Sequence, residues 1–276
     1  MGIESLEFQG CRFAYRIDGS GPPLIVIQGV GARGVVPNPL TGQLTKHFTC
    51  LSFDSRGIGE SQPEGKPLSA AQMADDALAL INHVGWASAH VMGHSFGGLI
   101  ALQLTLENQA RVRSLALLCS FARGKGVGRI SPRLLWILFR LRFGTRQVRR
   151  RAFTEIVLPP GDPRARSDAM ASRLSAILGH DVGDAPPIMA EQVKAMRQAD
   201  LTPRLGEIHG IPTLVVNGDR DVIAPPELGK AIASRIAEAR YIEIAGAAHS
   251  FPVLEPERCA ALLTEHIALT ERTARP

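Results

Sequence analysis

The stretch HVMGHSFGGLIAL, residues 90–102, sets a serine, Ser95, between Gly93 and the pair Gly97–Gly98. An apolar strand pattern gives way there to an apolar helix pattern. A serine gains little from packing at such a junction, and the glycines announce a backbone that turns sharply with other chain segments close by. A turn of this kind exposes the Ser95 hydroxyl at the carboxyl edge of a sheet and aims a helix N-terminus at any negative charge that develops beside it. The bland alternative is a serine that caps the following helix.

The sequence on either side supports a sheet. SLEFQG and CRFAYRIDG alternate as an antiparallel pair does, and then PLIVIQG, FTCLSFD, HVMGHS, SLALLCS, TLVVNGD and RYIEIAG form short unbroken apolar runs. Such runs belong to strands covered on both faces. Helical patterns separate them. SAAQMADDALALINHVG brings Met73, Ala77, Leu80, Ile81 and Val84 to one side behind a capping Ser69, and PPELGKAIASRIAEA and EPERCAALLTEHIAL open with the Pro and Glu of helix starts. Alternation of strand and helix predicts an α/β fold with a mostly parallel, doubly wound sheet. The alternation fails from about Phe121 to Leu205, where no strand pattern occurs. The expected organisation is a core of residues 1–121 and 206–276, with a helical lid over 122–205 inserted after the SLALLCS strand.

Composition narrows the function. Of 276 residues, 45% are hydrophobic and 21% charged, as in an ordinary globular chain with a sizeable core. No run is long enough to span a membrane, so stable membrane insertion is not expected. The first residues lack the basic-then-apolar pattern of a secretory signal, and Leu6 stands where a myristoylation site needs Ser or Thr. Cys11, Cys50, Cys119 and Cys259 are widely spaced and read as small buried side chains in a reducing compartment; a cytoplasmic location is the expectation. The histidines show no metal-ligand spacing, so no metal is expected. Net charge is +5, but the arginines come without an aromatic platform or nucleic-acid module, so nucleic acid is not an expected partner.

A serine hydroxyl needs a base, and the base a carboxylate to orient it. In a parallel sheet both belong on loops at strand carboxyl ends. LVVNGDRDVIAPPE leaves one strand with Asp219 and Asp221, and YIEIAGAAHSF leaves the last with His249. The chain order Ser, Asp, His is that of one hydrolase architecture.

With these residues in view, the chain resembles the α/β-hydrolase superfamily, most of all its small esterase, lactonase and cofactor-free haloperoxidase-like members. IVIQGVG is similar to the family's oxyanion strand, FDSRGIGES to its Asp-x-Arg-Gly-x-Gly-x-Ser turn (Asp54, Arg56, Gly57, Gly59, Ser61), GHSFGG to its nucleophile turn, and GDRDVIAP and GAAHSF to its acid and base loops. The resemblance covers roughly residues 20 to 110 and 205 to 265 and leaves the lid out. It implies about eight strands with the lid after the sixth, and a triad of Ser95, Asp221 and His249. Asp221 is chosen because the acid stands three residues after the glycine, here Gly218, and four before a proline, here Pro225. It implies an oxyanion hole from the N–H groups of Val30 and Phe96, and no cofactor. The family usually has His-Gly where this chain has Gln28-Gly29, so the loop's supports must differ. Asp54, Arg56 and Ser61 are expected to brace loops, and His94, which points away from its neighbour, to be structural.

The expected activity is a serine hydrolase that cleaves a carboxylic ester, lactone or thioester through an acyl-enzyme. The same triad serves a C–C bond hydrolase, a cofactor-free perhydrolase or an acyltransferase, and a non-catalytic small-molecule binder is the reading from another class. Haloalkane dehalogenases and epoxide hydrolases place an aspartate where this chain has Ser95. In the lid, Trp136 and Phe139 lie on one apolar side of the helical stretch PRLLWILFRLRF and are expected to line an acyl pocket; simple burial between lid helices is the alternative. Arg149, Arg150 and Arg151 read as a solvated face. An anionic substrate such as an acyl-CoA, or transient membrane contact, is the other use for them. The partner is a small acyl molecule, apolar and with an anionic group left open. Substrate and oligomeric state are not set by any motif.

Overall fold

The computed structural model describes residues 2–62, 68–125, 131–184 and 186–273. Eight strands form one sheet: β1 (Glu4–Phe8), β2 (Cys11–Asp18), β3 (Pro23–Ile27), β4 (Thr49–Phe53), β5 (Ala89–His94), β6 (Val112–Leu118), β7 (Thr213–Gly218) and β8 (Ala239–Ile244). Their order is β1-β2-β4-β3-β5-β6-β7-β8. β2 runs antiparallel to β1 and to β4, and every other pairing is parallel. The helices are α1 (Pro39–Leu44), α2 (Ala70–His83), α3 (Phe96–Glu107), α4 (Pro132–Phe143), α5 (Arg146–Val157), α6 (Asp168–Leu178), α7 (Pro187–Gln198), α8 (Pro226–Ala233), α9 (Phe251–Leu254) and α10 (Pro256–Thr273).

The unbroken apolar strands are explained by a core on each face. Along β3, Ile25 and Ile27 pack with α2, α3 and α8, while Leu24 and Val26 pack with α1, α9 and α10. Helix α3 is apolar on every side because it is enclosed, with Phe96 through Leu106 all buried. Helix α2 shows a single apolar side instead, and Ser69 caps it through Oγ, which accepts from the Gln72 N–H at 3.0 Å. The four cysteines are unpaired and buried.

From β3 the chain moves outward to β4, then crosses back over β3 to β5. Loops leaving the carboxyl ends of β3 and β5 therefore diverge, and a crevice opens between them. The first loop carries Gln28, Gly29 and Val30; the second is Ser95. Between β6 and β7 lie the helices α4 to α7; residues 126–130 and 185 of this segment fall outside the described set. They hold a small core of their own, built from Leu134 and Ile137 of α4, Ala152 and Ile156 of α5, and Met170 and Leu174 of α6.

One expectation about this region is corrected. Trp136 and Phe139 do not line the cavity that holds Ser95: they are 59% and 52% exposed and stack on each other, ring centroids 5.6 Å apart, on the outer side of α4 with Leu135 and Phe143. The inward side of α4 is the one carrying Leu134, Ile137 and Leu141, and only Leu141 of the three reaches the cavity above Ser95. Burial between lid helices fails for the same side chains.

Candidate active site

Ser95 holds φ 55° and ψ −124°, a sparsely populated conformation for a residue with a side chain. Such strain costs of order 1–3 kcal/mol and persists only where neighbours enforce it. The enforcement is visible. The Ser95 N–H donates to the Leu118 carbonyl at 2.9 Å, and Ser120 Oγ donates to the Ser95 carbonyl at 2.8 Å, so the turn is tied to the end of β6. The glycines answer to sterics. A Cβ on Gly97 would strike the carbonyls of Ile27 and Gln28, one on Gly93 would strike Gly97, and one on Gly98 would strike the Ser120 side chain. Although Ser95 stands at the N-cap of α3, its hydroxyl makes no capping bond. It points instead to an imidazole.

His249 Nε2 lies 2.9 Å from Ser95 Oγ, and His249 Nδ1 lies 2.8 Å from Asp221 Oδ2. A carboxylate beside Nδ1 favours the tautomer with the proton on Nδ1, which leaves the Nε2 lone pair facing the hydroxyl. Asp221 Oδ1 accepts from the N–H groups of Ile223 and Ala224 at 2.8 and 2.9 Å. Burial would raise the Asp221 pKa; the charge and hydrogen bond of His249 and the two amides outweigh it and hold the carboxyl below its ordinary value. Of the two aspartates in the loop, Asp219 accepts from the Gly246 N–H at 2.8 Å, while Arg220 N–H donates to the Ala247 carbonyl at 2.9 Å. The acid and base loops are thus bonded to each other.

His94 is a brace. Its Nε2 donates to the His249 carbonyl at 3.1 Å, and burial, then the neighbouring His249, push its pKa down to about 3. It stays neutral near pH 7. His94, Cys119 and His249 bring nitrogen and sulfur atoms within 4.8 Å of one another. Those atoms are committed: both His249 nitrogens are in the relay, His94 Nε2 holds a carbonyl, and the Cys119 thiol, its pKa raised far by burial, donates to the Ala248 carbonyl at 3.9 Å.

The N–H groups of Val30 and Phe96 find no acceptor among the described residues. Phe96 opens α3, so its amide has no partner within the helix. Gly29 approaches Ser95 so closely that a Cβ on it would lie 3.2 Å from Ser95 Cβ. The supports of this loop answer the question posed by Gln28-Gly29. The Gly31 N–H donates at 2.8 Å to Oε1 of Gln192, a buried side chain of α7, and the Arg33 N–H donates to the Leu178 carbonyl at 3.0 Å. From the core side, the buried Asp54 accepts from Val35 N–H at 3.2 Å and from Arg33 Nε at 3.0 Å, while Ser61 Oγ donates to the Asp54 carbonyl at 2.6 Å. Arg56 lies wholly buried in a two-bond ion pair with Asp76 of α2, at 2.6 and 3.1 Å. These residues brace loops as expected. Gln192 was invisible in the sequence: it lies 161 residues from its partner, in a helix no motif covers.

Ser95 and His249 open into a cavity of about 370 Å³ lined in part by α4 to α7, with walls dominated by Leu141, Phe153, Ile156, Leu174, Met189 and Val253. A larger groove, about 540 Å³, lies behind Asp221, lined by charged side chains of both signs, and does not reach Ser95.

A strained serine turn, a base and an acid in this chain order, and a sheet that reverses its strand order at the crevice define one class of fold. The chain belongs to the alpha/beta hydrolase fold family, whose model matches residues 22–256. It is similar to the protein provisionally named carbamate hydrolase RutD of Azorhizobium caulinodans, 28% identical over 247 residues, 88% of this chain and 90% of that one. Among solved structures it resembles the enol-lactonase from Burkholderia xenovorans LB400, with a TM-score of 0.79, 25% identity and coverage of 96% and 100% of the two chains. It shares the fold of a thermophilic esterase from Thermogutta terrifontis, with a TM-score of 0.77, 24% identity and coverage of 97% and 99%. Among the described residues no helix is long and apolar enough to cross a membrane.

Proposed function

We propose that this protein is a serine hydrolase that cleaves a carboxylic ester, lactone or thioester with an apolar acyl part. The observation that carries this reading is the continuous relay Asp221–His249–Ser95, at 2.8 and 2.9 Å, opening into an apolar cavity. His249 takes the Ser95 proton as Oγ attacks the carbonyl. Asp221, held ionised, keeps the imidazole oriented and stabilises the imidazolium. The amides of Val30 and Phe96 receive the negative charge on the carbonyl oxygen, an interaction worth about 3 kcal/mol of barrier for each donor. The imidazolium then protonates the leaving group, and a water deprotonated by His249 releases the acid. No step calls for a cofactor. Helices α4 to α7, within residues 122–205, act in this scheme as the lid that shapes the acyl site. A carbamate presents the same kind of carbonyl, but the hydrocarbon walls favour a larger apolar acyl group.

A panel of p-nitrophenyl esters from acetate to decanoate, with lactones and a thioester beside them, tests the reading. Turnover is expected to peak at an intermediate chain length and to disappear in Ser95→Ala. Turnover that survives in Ser95→Ala would overturn it.

A further inference from the structure

The cavity wall contains an arginine that the relay does not use. Arg146, Arg149 and Arg150 rise from the start of α5 opposite Asp181 and Asp184, three cations facing two anions. Arg150 pairs with Asp181. Arg146 bridges both acids, at 3.2 Å to Asp181 and 3.0 Å to Asp184. Arg149 takes neither: among the described residues it has no carboxylate partner. Its Nε donates to the Gly183 carbonyl at 2.6 Å and its Nη1 to the Gly144 carbonyl at 2.9 Å. Both acceptors are neutral, and the Nη2 group is left without one. The side chain is half-buried and lines the same apolar cavity as Ser95. Asp184 also touches this cavity, but Arg146 already neutralises it.

A guanidinium cannot shed its proton near neutral pH, and a charge partly withdrawn from water without a counter-ion is unfavourable. Two carbonyls fix its plane, and fixing a donor before the ligand arrives lowers the entropy lost on binding. We propose that Arg149 binds a carboxylate at the far end of the substrate, so that the preferred substrate is a monoanionic acyl compound. Its ester, lactone or thioester carbonyl sits at Ser95, its terminal carboxylate meets Arg149 Nη2, and hydrocarbon in between lies along Leu174 and Val182. This rests on the serine-hydrolase reading above and gives it a substrate class.

The test compares matched pairs: p-nitrophenyl esters of C6 to C10 monocarboxylic acids against the mono-p-nitrophenyl esters of the dicarboxylic acids of equal length. The wild-type protein is expected to favour the anionic member at one chain length, and that length reads the span from Ser95 to Arg149. In Arg149→Gln the anionic-to-neutral ratio of kcat/KM should fall about 20-fold, mainly through KM, as loss of a charge-assisted hydrogen bond implies. Arg149→Lys should recover part of it, and thermal melts of the same samples control for folding. A wild-type preference for the neutral ester at every length, or a ratio that moves less than twofold in Arg149→Gln, overturns the proposal. Absence of any turnover on either ester would instead defeat the hydrolase reading. The anion site is then read separately by calorimetry with free octanedioate, which should bind wild type and not Arg149→Gln; equal binding overturns it.

Discussion

The Ser95 turn and the outer side of α4 are both apolar stretches with chemistry-bearing residues set into them, yet the structure treats them in opposite ways. At the turn every neighbour is committed. Gly93, Gly97 and Gly98 each let a specific chain segment pass, and the Ser95 amide and carbonyl are both bonded to the end of β6. On α4, Leu135, Trp136, Leu138, Phe139 and Phe143 all stand between 45% and 68% exposed. The turn is set by backbone sterics, which leave one solution. The helix is set by a 3.6-residue period, which says that two sides are apolar and not what each side meets.

That contrast can be broken by substitution. The largest effects belong to the relay: Ser95→Ala should lower kcat on p-nitrophenyl esters by about a millionfold, and Asp221→Asn by about ten-thousandfold, both with folding intact. Stopped assays and thermal melts on the same preparations check this, and an Asp221→Asn variant within tenfold of wild type would remove the acid from the account. On the stability side, Gly97→Ala should destabilise the fold by about 1–3 kcal/mol through overpacking against Ile27 and Gln28, read as a lower denaturant midpoint. An unchanged midpoint would show that the turn tolerates a side chain.

A pH effect of similar size should come from buried histidines. Burial pushes His94 down to about 3 and His266 to about 4, whereas both titrate near 6.5 when unfolded. Above about pH 6.5 both states are neutral at these sites. As pH falls from there toward 4, only the unfolded chain takes up the protons, so stability present at neutral pH is lost on the acid side. The loss at pH 5 should be on the order of 1 to 2 kcal/mol for each histidine. Thermal melts between pH 7.5 and 5 should therefore drop, and less steeply in His266→Gln; a flat profile would contradict the burial argument. The smallest effects belong to α4. Trp136→Ser and Phe139→Ser should each change stability by less than about 0.5 kcal/mol and leave the chain-length profile of ester hydrolysis in place. A shifted profile would bring these aromatics back to the substrate.

The sheet, its two antiparallel strands, Ser95 and His249 were legible because each rests on a local constraint. Unbroken apolar runs can be covered only on both faces, a strained turn needs glycines, and partners must lie at strand carboxyl ends. Asp219 and Asp221 were harder to separate from their own surroundings. The structure distinguishes them through the amides of Ile223 and Ala224, which converge on Asp221 alone. The contacts of Gln192 and the place of Arg149 in the cavity wall are set by how α5 and α7 lie over the core, and nothing in their neighbouring sequence encodes that. Trp136 and Phe139 show the converse: large aromatics in an apolar pattern invite a pocket, and the wheel does not say on which side of the helix the pocket lies.

The central claim is that Ser95 is made nucleophilic by His249. Its most direct test is labelling of the intact protein with a fluorophosphonate, followed by peptide mapping. One adduct is expected, on the peptide containing Ser95, formed quickly by wild type and absent from Ser95→Ala and His249→Gln. A wild-type protein that stays unlabelled, or an adduct that persists when His249 is replaced, would contradict it.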